Sequence, residues 1–231
     1  VRVSEVCVSI SAANVSSVHS VASCEVVNHE ILEEDIDYVV EQAGSSVKKS
    51  HQHVLHLLPQ SFSVDGRVGV GEPLHMTGDV LQANVHVILA RKTIVKSLVK
   101  LIQKSGLVVQ DVVLSSLASS YSSLTEQAKS LGVCQIDLGE NVTSYCVFVD
   151  GMIRDAGVVD IGTLNIISDV AEVLHIDIEE AESLYYKYGK ALSSMSRIEE
   201  VFELETCADE KNFHKKLSSA TLSAIIEARL E

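Results

Sequence analysis

VCQIDLGENVTSYCVFV, residues 133–149, reads as strand, tight turn and strand. Val133 to Ile136 is a short apolar run with Asp137 at its end, Leu138 to Asn141 turn the chain, and Val142 to Val149 return in alternation. A plain hairpin turns most cheaply on Asn-Gly or Asp-Gly. Asp-x-Gly holds a carboxylate beside backbone amides that can face a phosphate. Two readings therefore stand on this stretch: a phosphate-facing hairpin, or an ordinary hairpin whose Asp caps its turn. A lone motif does not choose between them.

The flanks extend the pattern. Asp150-Gly151 turns the chain into a third strand, Met152 to Val159, and Gly162 and Thr163 precede a helix from Leu164 to Leu174. Upstream, Thr93 to Lys104 is helical, with Ile94, Leu98, Leu101 and Ile102 on one face and Lys96, Lys100 and Lys104 on another. Gly106 closes it as the C′ residue. A buried strand, Val108 to Leu114, and a helix, Ser116 to Lys129, lead into the hairpin. Alternating helices and strands make an α/β layer structure.

Farther out, Val1 to Ile10, Val18 to Val27, Val54 to Leu58 (stopped at Pro59), Phe62 to Val70 and Val80 to Ala90 read as extended. A helix opened by Glu33-Glu34-Asp35 and stopped at Gly44-Ser45-Ser46 crosses them. The expectation is one α+β sheet module over Val1 to Ala90. After Leu174 comes a helix, Ile178 to Tyr188, then a short strand, Val201 to Leu204, a polar stretch, Glu205 to Ser218, and a helix over Leu222 to Leu230.

Of 231 residues, 46% are apolar and 22% charged, which is a globular composition. Lys plus Arg total 18 against 32 Asp plus Glu, a formal net charge of −14. That balance excludes a general nucleic-acid binder and an anionic-membrane contact made by this segment alone. The five Cys, at 7, 24, 134, 146 and 207, form no C-x-x-C pair and point to a reducing, cytosolic compartment. No apolar run reaches the ~20 residues of a membrane-spanning helix. Val1 begins inside a strand-like run without a Met and Glu231 stops inside a helical pattern, so the sequence reads as a piece of a longer protein.

Other constellations carry less. His51, His53, His56 and His86 invite a metal reading, but strand facing cannot be read from the sequence, and polar-face or core histidines are the plainer account. Tyr185, Tyr186 and Tyr188 stand at helical spacing, which suits packing. G-x-S-x-G and the P-loop are both missing. Glu140 could act as a general base beside a phosphate, but it has no paired acid of defined spacing.

VLHLLPQSFSVDG from Val54, GDVLQANVHVI from Gly78 and LASSYSSLTEQAKSLGVCQIDLG from Leu117 together resemble the FtsA family of bacterial actin-like cell-division proteins. The similarity runs from Val1 to Glu231 in one register and is weakest between Ser196 and Ser218. It implies an α/β, actin/Hsp70-like (ribonuclease H-like) fold with an inserted α+β subdomain, 1C. Residues 1–12 would end the first segment of subdomain 1A, 13–94 form 1C, 95–122 return to 1A, 123–156 begin 2A, and 157–231 hold the rest of that segment and a truncated 2B. The first phosphate hairpin would precede Val1. The adenosine motif and the membrane-binding amphipathic helix would follow Glu231.

On this resemblance the hairpin is the second phosphate loop, Asp-x-Gly-Gly-Gly-Thr, and the family ligand is ATP with Mg. Asp137 and Gly139 match, whereas Glu140 and Asn141 replace glycines and Val142 replaces Thr. Glycines let amides approach phosphate closely, and a Glu there opposes negative charge to negative charge. Ser144 stands at the family's second acid position. Gly162 and Thr163 fall at an expected glycine, Glu182 matches the acid of the nucleotide-side helix, and Tyr185 replaces its Lys. The expectation is weakened, altered or absent ATP binding with little hydrolysis, hence not an enzyme in the usual sense.

The resemblance implies a scaffold on the inner face of the cell membrane at the division site. It would join FtsZ filaments to the membrane through a C-terminal helix, self-associate into filaments, and meet later division proteins through 1C. Arg229 matches a position of the FtsZ contact. The alternatives are a PilM-like pilus-assembly adaptor, which a gene neighbourhood beside FtsZ would separate, and a phosphotransferase of the same superfamily, which would need intact phosphate loops and a catalytic acid.

Overall fold

The computed structural model describes residues 3–11, 15–195, 201–205 and 214–231. They divide into two units, Val1–Asp137 with Val142–Asp160, and Leu138–Asn141 with Ile161–Glu231. In the first unit β1 (Glu5–Ile10) does not join the sheet that follows it, contrary to the expectation of one module over Val1 to Ala90. It pairs in parallel with β6 (Val108–Leu114), Glu5 opposite Val108 and Ile10 opposite Leu114. A parallel partner far along the chain leaves no local trace in the pattern of either strand.

Between them lies a four-stranded antiparallel sheet, ordered β2 (Ser16–Glu25), β5 (Val80–Arg91), β3 (Gln52–Val64), β4 (Arg67–Val70). β3 was expected to stop at Pro59 but runs through it. Proline lacks an N–H, and at Pro59 the strand is paired only with β5, since β4 engages β3 only from Phe62 onward. The register slips between Pro59 and Ser61, where a bulge absorbs the mismatch. Asp65-Gly66 turns β3 into β4, with φ values of 48° and 80° that suit a two-residue hairpin loop.

α1 (Glu33–Val47) begins on three acids, and the Asp35 carboxylate accepts from the Leu32 amide at 2.9 Å, satisfying a free helix-end donor. The helix does not stop at Gly44 as expected. Gly44 is buried inside it, and a Cβ there would stand 2.5 Å from Leu57 Cδ2. Glycine there lets Leu57 pack directly on the helix backbone and does not terminate the helix.

β5 is buried on both faces. Leu81, Ala83, Val85, Val87 and Leu89 face Val39 and Ala43 of α1, whereas Ile88 and Ala90 face a second cluster with Val95, Leu114 and Phe148. Full burial of such a side chain contributes about 1.5–3 kcal/mol. α2 (Lys92–Lys104) starts at the residue after β5 ends, with no linker between them.

The helix expected over Ser116 to Lys129 is two: α3 (Ser115–Ser123) and α4 (Glu126–Leu131). Ser122 and Ser123 both donate to the Ser119 carbonyl, Leu124 is extended, and Thr125 Oγ1 accepts from the Ala128 amide to start a new helix. β7 (Val133–Leu138), β8 (Thr143–Val149) and β9 (Met152–Val159) form a meander in that order. β9 meets β2 through Ser17 Oγ, which donates to Asp155 at 2.8 Å, and through the His19 ring, 3.0 Å from the Arg154 carbonyl.

The second unit is built on α5 (Thr163–Leu174), α6 (Ile178–Tyr188) and α7 (Ser219–Leu230). Ile166, Val170 and Leu174 meet Ala181, Leu184, Leu222 and Ile226 in its core. β10 (Val201–Glu205) pairs antiparallel with β11 (His214–Ser218), so the polar stretch 205–218 ends in a strand where none was expected. Val1, Cys207 and residues 206–213 of that stretch lie outside the described residues.

Candidate functional site

The turn of the β7–β8 hairpin is fixed by what it binds. The Gly139 carbonyl accepts from the Thr163 amide at 3.0 Å, and the Glu140 carbonyl accepts from the Leu164 amide at 2.8 Å. The Asn165 amide returns to the Gly162 carbonyl, and its side-chain oxygen accepts from the Gly162 amide at 2.9 Å. The first three amides of α5 are thereby all satisfied inside the protein, where a helix start ordinarily leaves donors free for an anion. Gly162 is buried, and a Cβ there would lie 2.3 Å from the Glu140 carbonyl oxygen, so no larger residue fits.

Of the seven residues expected at a nucleotide, four meet here through these contacts: Gly139, Glu140, Gly162 and Thr163. Asn141 is beside them, its carbonyl carbon 2.7 Å from the position a Gly162 Cβ would take. Asp137 is half-buried at the end of β7 and accepts a 3.4 Å bond from Ser119 Oγ. Glu182 is exposed on α6 and makes no hydrogen bond or ion pair among the described residues.

The residues at the turn do not fit a magnesium–nucleotide polyphosphate. The Glu140 and Asn141 side chains stand exposed at the tip, one of them anionic, and the helix amides beyond are already engaged. Of the expected Asp-x-Gly-Gly-Gly-Thr pattern the chain holds Asp137 and Gly139, whereas Glu140, Asn141 and Val142 bring side chains.

The other candidates fall elsewhere. His56 Nε2 accepts from the Leu114 amide at 3.0 Å, and burial lowers its pKa below the ordinary histidine value. His86 is 1% exposed, faces the His19 ring at 4.8 Å, and burial lowers its pKa to about 4. Neither ring nitrogen of His86 has a hydrogen-bond partner among the described residues. Tyr185 and Tyr188 pack on the core of the second unit, whereas Tyr186 is exposed and meets Tyr185 edge-on.

Arg229, near the end of α7, forms a bidentate pair with Asp169 of α5 that raises its already high pKa. Both residues line a groove of about 670 Å³ between α5 and α7, together with Val173, Ala224 and Ile225. Three residues at these positions escaped the sequence reading. Asn165, three residues after Gly162, carries the spacing of a capping box and was findable. Ser119 and Asp169 gave no signal, since each acts on a residue far away in the chain.

Two family models match the chain. One, described as the SHS2 domain inserted in FTSA, covers residues 12–89, and one for cell division protein FtsA covers residues 134–223. The cell division protein FtsA of Pseudomonas aeruginosa is 31% identical over 230 residues, covering 100% of this chain and 55% of that protein. The FtsA of Escherichia coli K12 is 29% identical over 228 residues, 99% of this chain and 54% of that protein. The chain thus spans about half the length of the curated relatives it matches. Among solved structures, the PilM–PilN type IV pilus biogenesis complex matches with a TM-score of 0.55 at 18% identity, over 81% of this chain and 52% of that one.

That likeness carries the fold alone, and the fold is actin/Hsp70-like with an SHS2 domain inserted. Both halves of the architecture are then accounted for by one family. The chain belongs to the FtsA family of cell-division proteins.

Proposed function

We propose that this chain is the central part of a cell-division scaffold that joins FtsZ filaments to the cytoplasmic membrane and recruits later division proteins at the division site. The carrying observation is the match over 230 residues, inserted domain included, to proteins named for cell division. The reading takes 13–94 as subdomain 1C, 95–122 as 1A, 123–156 as the start of 2A, and 157–231 as the remainder with 2B.

In this reading nucleotide binding is weak and turnover slight, because Glu140 and Asn141 crowd the hairpin tip with side chains and charge. Arg229 belongs to the FtsZ contact, and Asp169 holds its guanidinium in place on the groove wall. Copies of the protein associate with one another, and membrane attachment is supplied by a helix outside these residues.

Co-sedimentation with FtsZ filaments of the same organism tests the reading. The chain is expected to pellet with filaments, and Arg229→Ala to stay in the supernatant while keeping its far-ultraviolet circular dichroism. Equal partition with and without FtsZ would remove the scaffold assignment. Titration of ATP against the whole protein tests the nucleotide part, which micromolar affinity would overturn.

A further inference from the structure

The chain leaves α1 through Lys48-Lys49-Ser50-His51, a turn in which the Gln52 amide donates to the Lys49 carbonyl at 2.9 Å. The antiparallel register then sets Gln52 opposite Arg91, and the Lys92 amide donates to the His51 carbonyl at 2.9 Å. Two basic stretches far apart in sequence are thereby brought to one end of the inserted sheet. Residues 48–53 and 91–104 hold seven of the chain's 18 Lys and Arg and no acid, in a chain whose net charge is −14. Burial holds the His53 pKa below its ordinary value, and Lys48 and Lys92 lower it further, so both ammonium groups stand within electrostatic reach of one ring.

Where the stretches meet lies a cleft of about 510 Å³, lined by Ser50, His51, Arg91, Lys92, Thr93 and Lys96. Its lining side chains are cations, an imidazole and hydroxyls, with no carboxylate. Asp111 lines the adjoining groove, which shares Lys96. Lys48, Lys49, Lys92 and Lys96 enter no ion pair among the described residues. Folding alone does not ask for this arrangement. Arg91 and Lys92 are the N-cap and first residue of α2, where the helix dipole favours acids, and no acid occupies the first turn. α1, by contrast, opens on three acids. Lys92 and Lys96 also set like charges one helical turn apart, which weakens a helix. An anion in the cleft removes these local costs.

We propose that this cleft is a phosphate site. Arg91 offers a planar fork to paired phosphate oxygens, Lys92 and Lys96 supply charge, and the Ser50 and Thr93 hydroxyls are further donors. Its volume falls in the range of small-ligand sites, about 300–1,000 Å³. A concave cationic site focuses its field locally, so the acidity of the rest of the chain does not forbid it. The site shares no residue with the β7–β8 turn and does not depend on the scaffold reading. The phosphate could be carried by a soluble molecule or by a lipid headgroup, and the two are separable.

The test is a titration of tripolyphosphate into the isotope-labelled full chain at about 50 mM salt, read by amide chemical shifts. The amides of His51, Lys92, Thr93 and Lys96 are expected to move saturably while those of Gly139, Gly162 and Thr163 stay, which separates this cleft from the hairpin. Lys92→Gln with Lys96→Gln, which keeps helix propensity, should weaken binding on the order of tenfold, as should raising the salt to about 500 mM. Lys48→Gln with Lys49→Gln, acting through the field alone, should weaken it about two- to threefold. The second arm is co-sedimentation with phosphatidylglycerol vesicles against phosphatidylcholine ones. Vesicle binding that the Lys92 and Lys96 variant loses, without a response to tripolyphosphate, would assign the phosphate to a lipid headgroup; the reverse would assign it to a soluble ligand. Shifts confined to Gly139 and Thr163, an affinity indifferent to the lysine variants, or no binding in either arm would overturn the site.

Discussion

Replacing His86 with Leu should stabilise the first unit and remove part of its sensitivity to acid. His86 sits in the centre of β5, opposite His19 of β2, with neither ring nitrogen hydrogen-bonded among the described residues. The titratable groups facing it are His19, whose nearness lowers its pKa further, and Asp155, which raises it; burial outweighs both. The ring is therefore neutral in the folded state down to about pH 4, whereas an unfolded histidine takes up its proton near 6.5. Below 6.5 the unfolded chain binds a proton that the folded chain refuses, so stability falls as pH falls and levels off near 4. The slope approaches about 1.4 kcal/mol per pH unit, which integrates to about 2 kcal/mol between pH 7 and pH 5.

His86→Leu keeps similar volume and deletes two buried unpartnered polar atoms, a gain of about 1–3 kcal/mol at pH 7. Urea unfolding followed by circular dichroism at pH 7 and pH 5 measures both terms. The advantage of the variant should be larger at pH 5 by about 2 kcal/mol. An equal advantage at both pH values would refute the neutral, unpartnered His86, whatever the wild type does in acid.

Gly162→Ala should cost about 2–4 kcal/mol, because its Cβ meets only backbone atoms and must break the Thr163 and Leu164 bonds to the turn; faster hydrogen exchange at those two amides would report it. Glu140→Gly combined with Asn141→Gly and Val142→Thr should tighten ATP binding at least on the order of tenfold in a calorimetric titration, and no gain would mean that the hairpin tip is not what limits affinity. Thr125→Ala should lower stability by about 1 kcal/mol, since it deletes the side-chain cap of α4; an unchanged urea midpoint would show that the break between α3 and α4 needs no cap.

What the sequence made legible was local. β6 and α6 have the bounds that alternation and helical spacing suggest, and the β7–β9 meander stands where the opening stretch placed it. The misreadings share a cause, which is that the deciding partner lies elsewhere in the chain. Gly44 looked like a stop until Leu57 packed on it, and Pro59 looked like a strand end until the free edge of β3 was visible. β1 carried the alternation of any strand and gave no hint of a parallel partner beyond the inserted sheet. The α3–α4 break was hidden because both segments keep helical spacing, and only the serine back-bonds and the Thr125 cap separate them. At the hairpin, Asp137 and Gly139 could be read as a motif. The capture of its carbonyls by the start of α5, across the whole of β8 and β9, could not.

The direct join of β5 to α2 has a mechanical meaning. β5 is held on both sides, by β2 from Ser16–Leu89 to Glu25–Val80 and by β3 from Gln52–Arg91 to Val64–Leu81. A pull on α2 along the strand axis would therefore load two antiparallel ladders in shear, with many hydrogen bonds resisting at once, instead of peeling an edge strand one bond at a time. With no slack residues between Arg91 and Lys92, tension at the helix would reach the middle of the inserted sheet undiminished. Any load applied at α2 would then be spread over the middle of the inserted sheet and not taken by one edge strand.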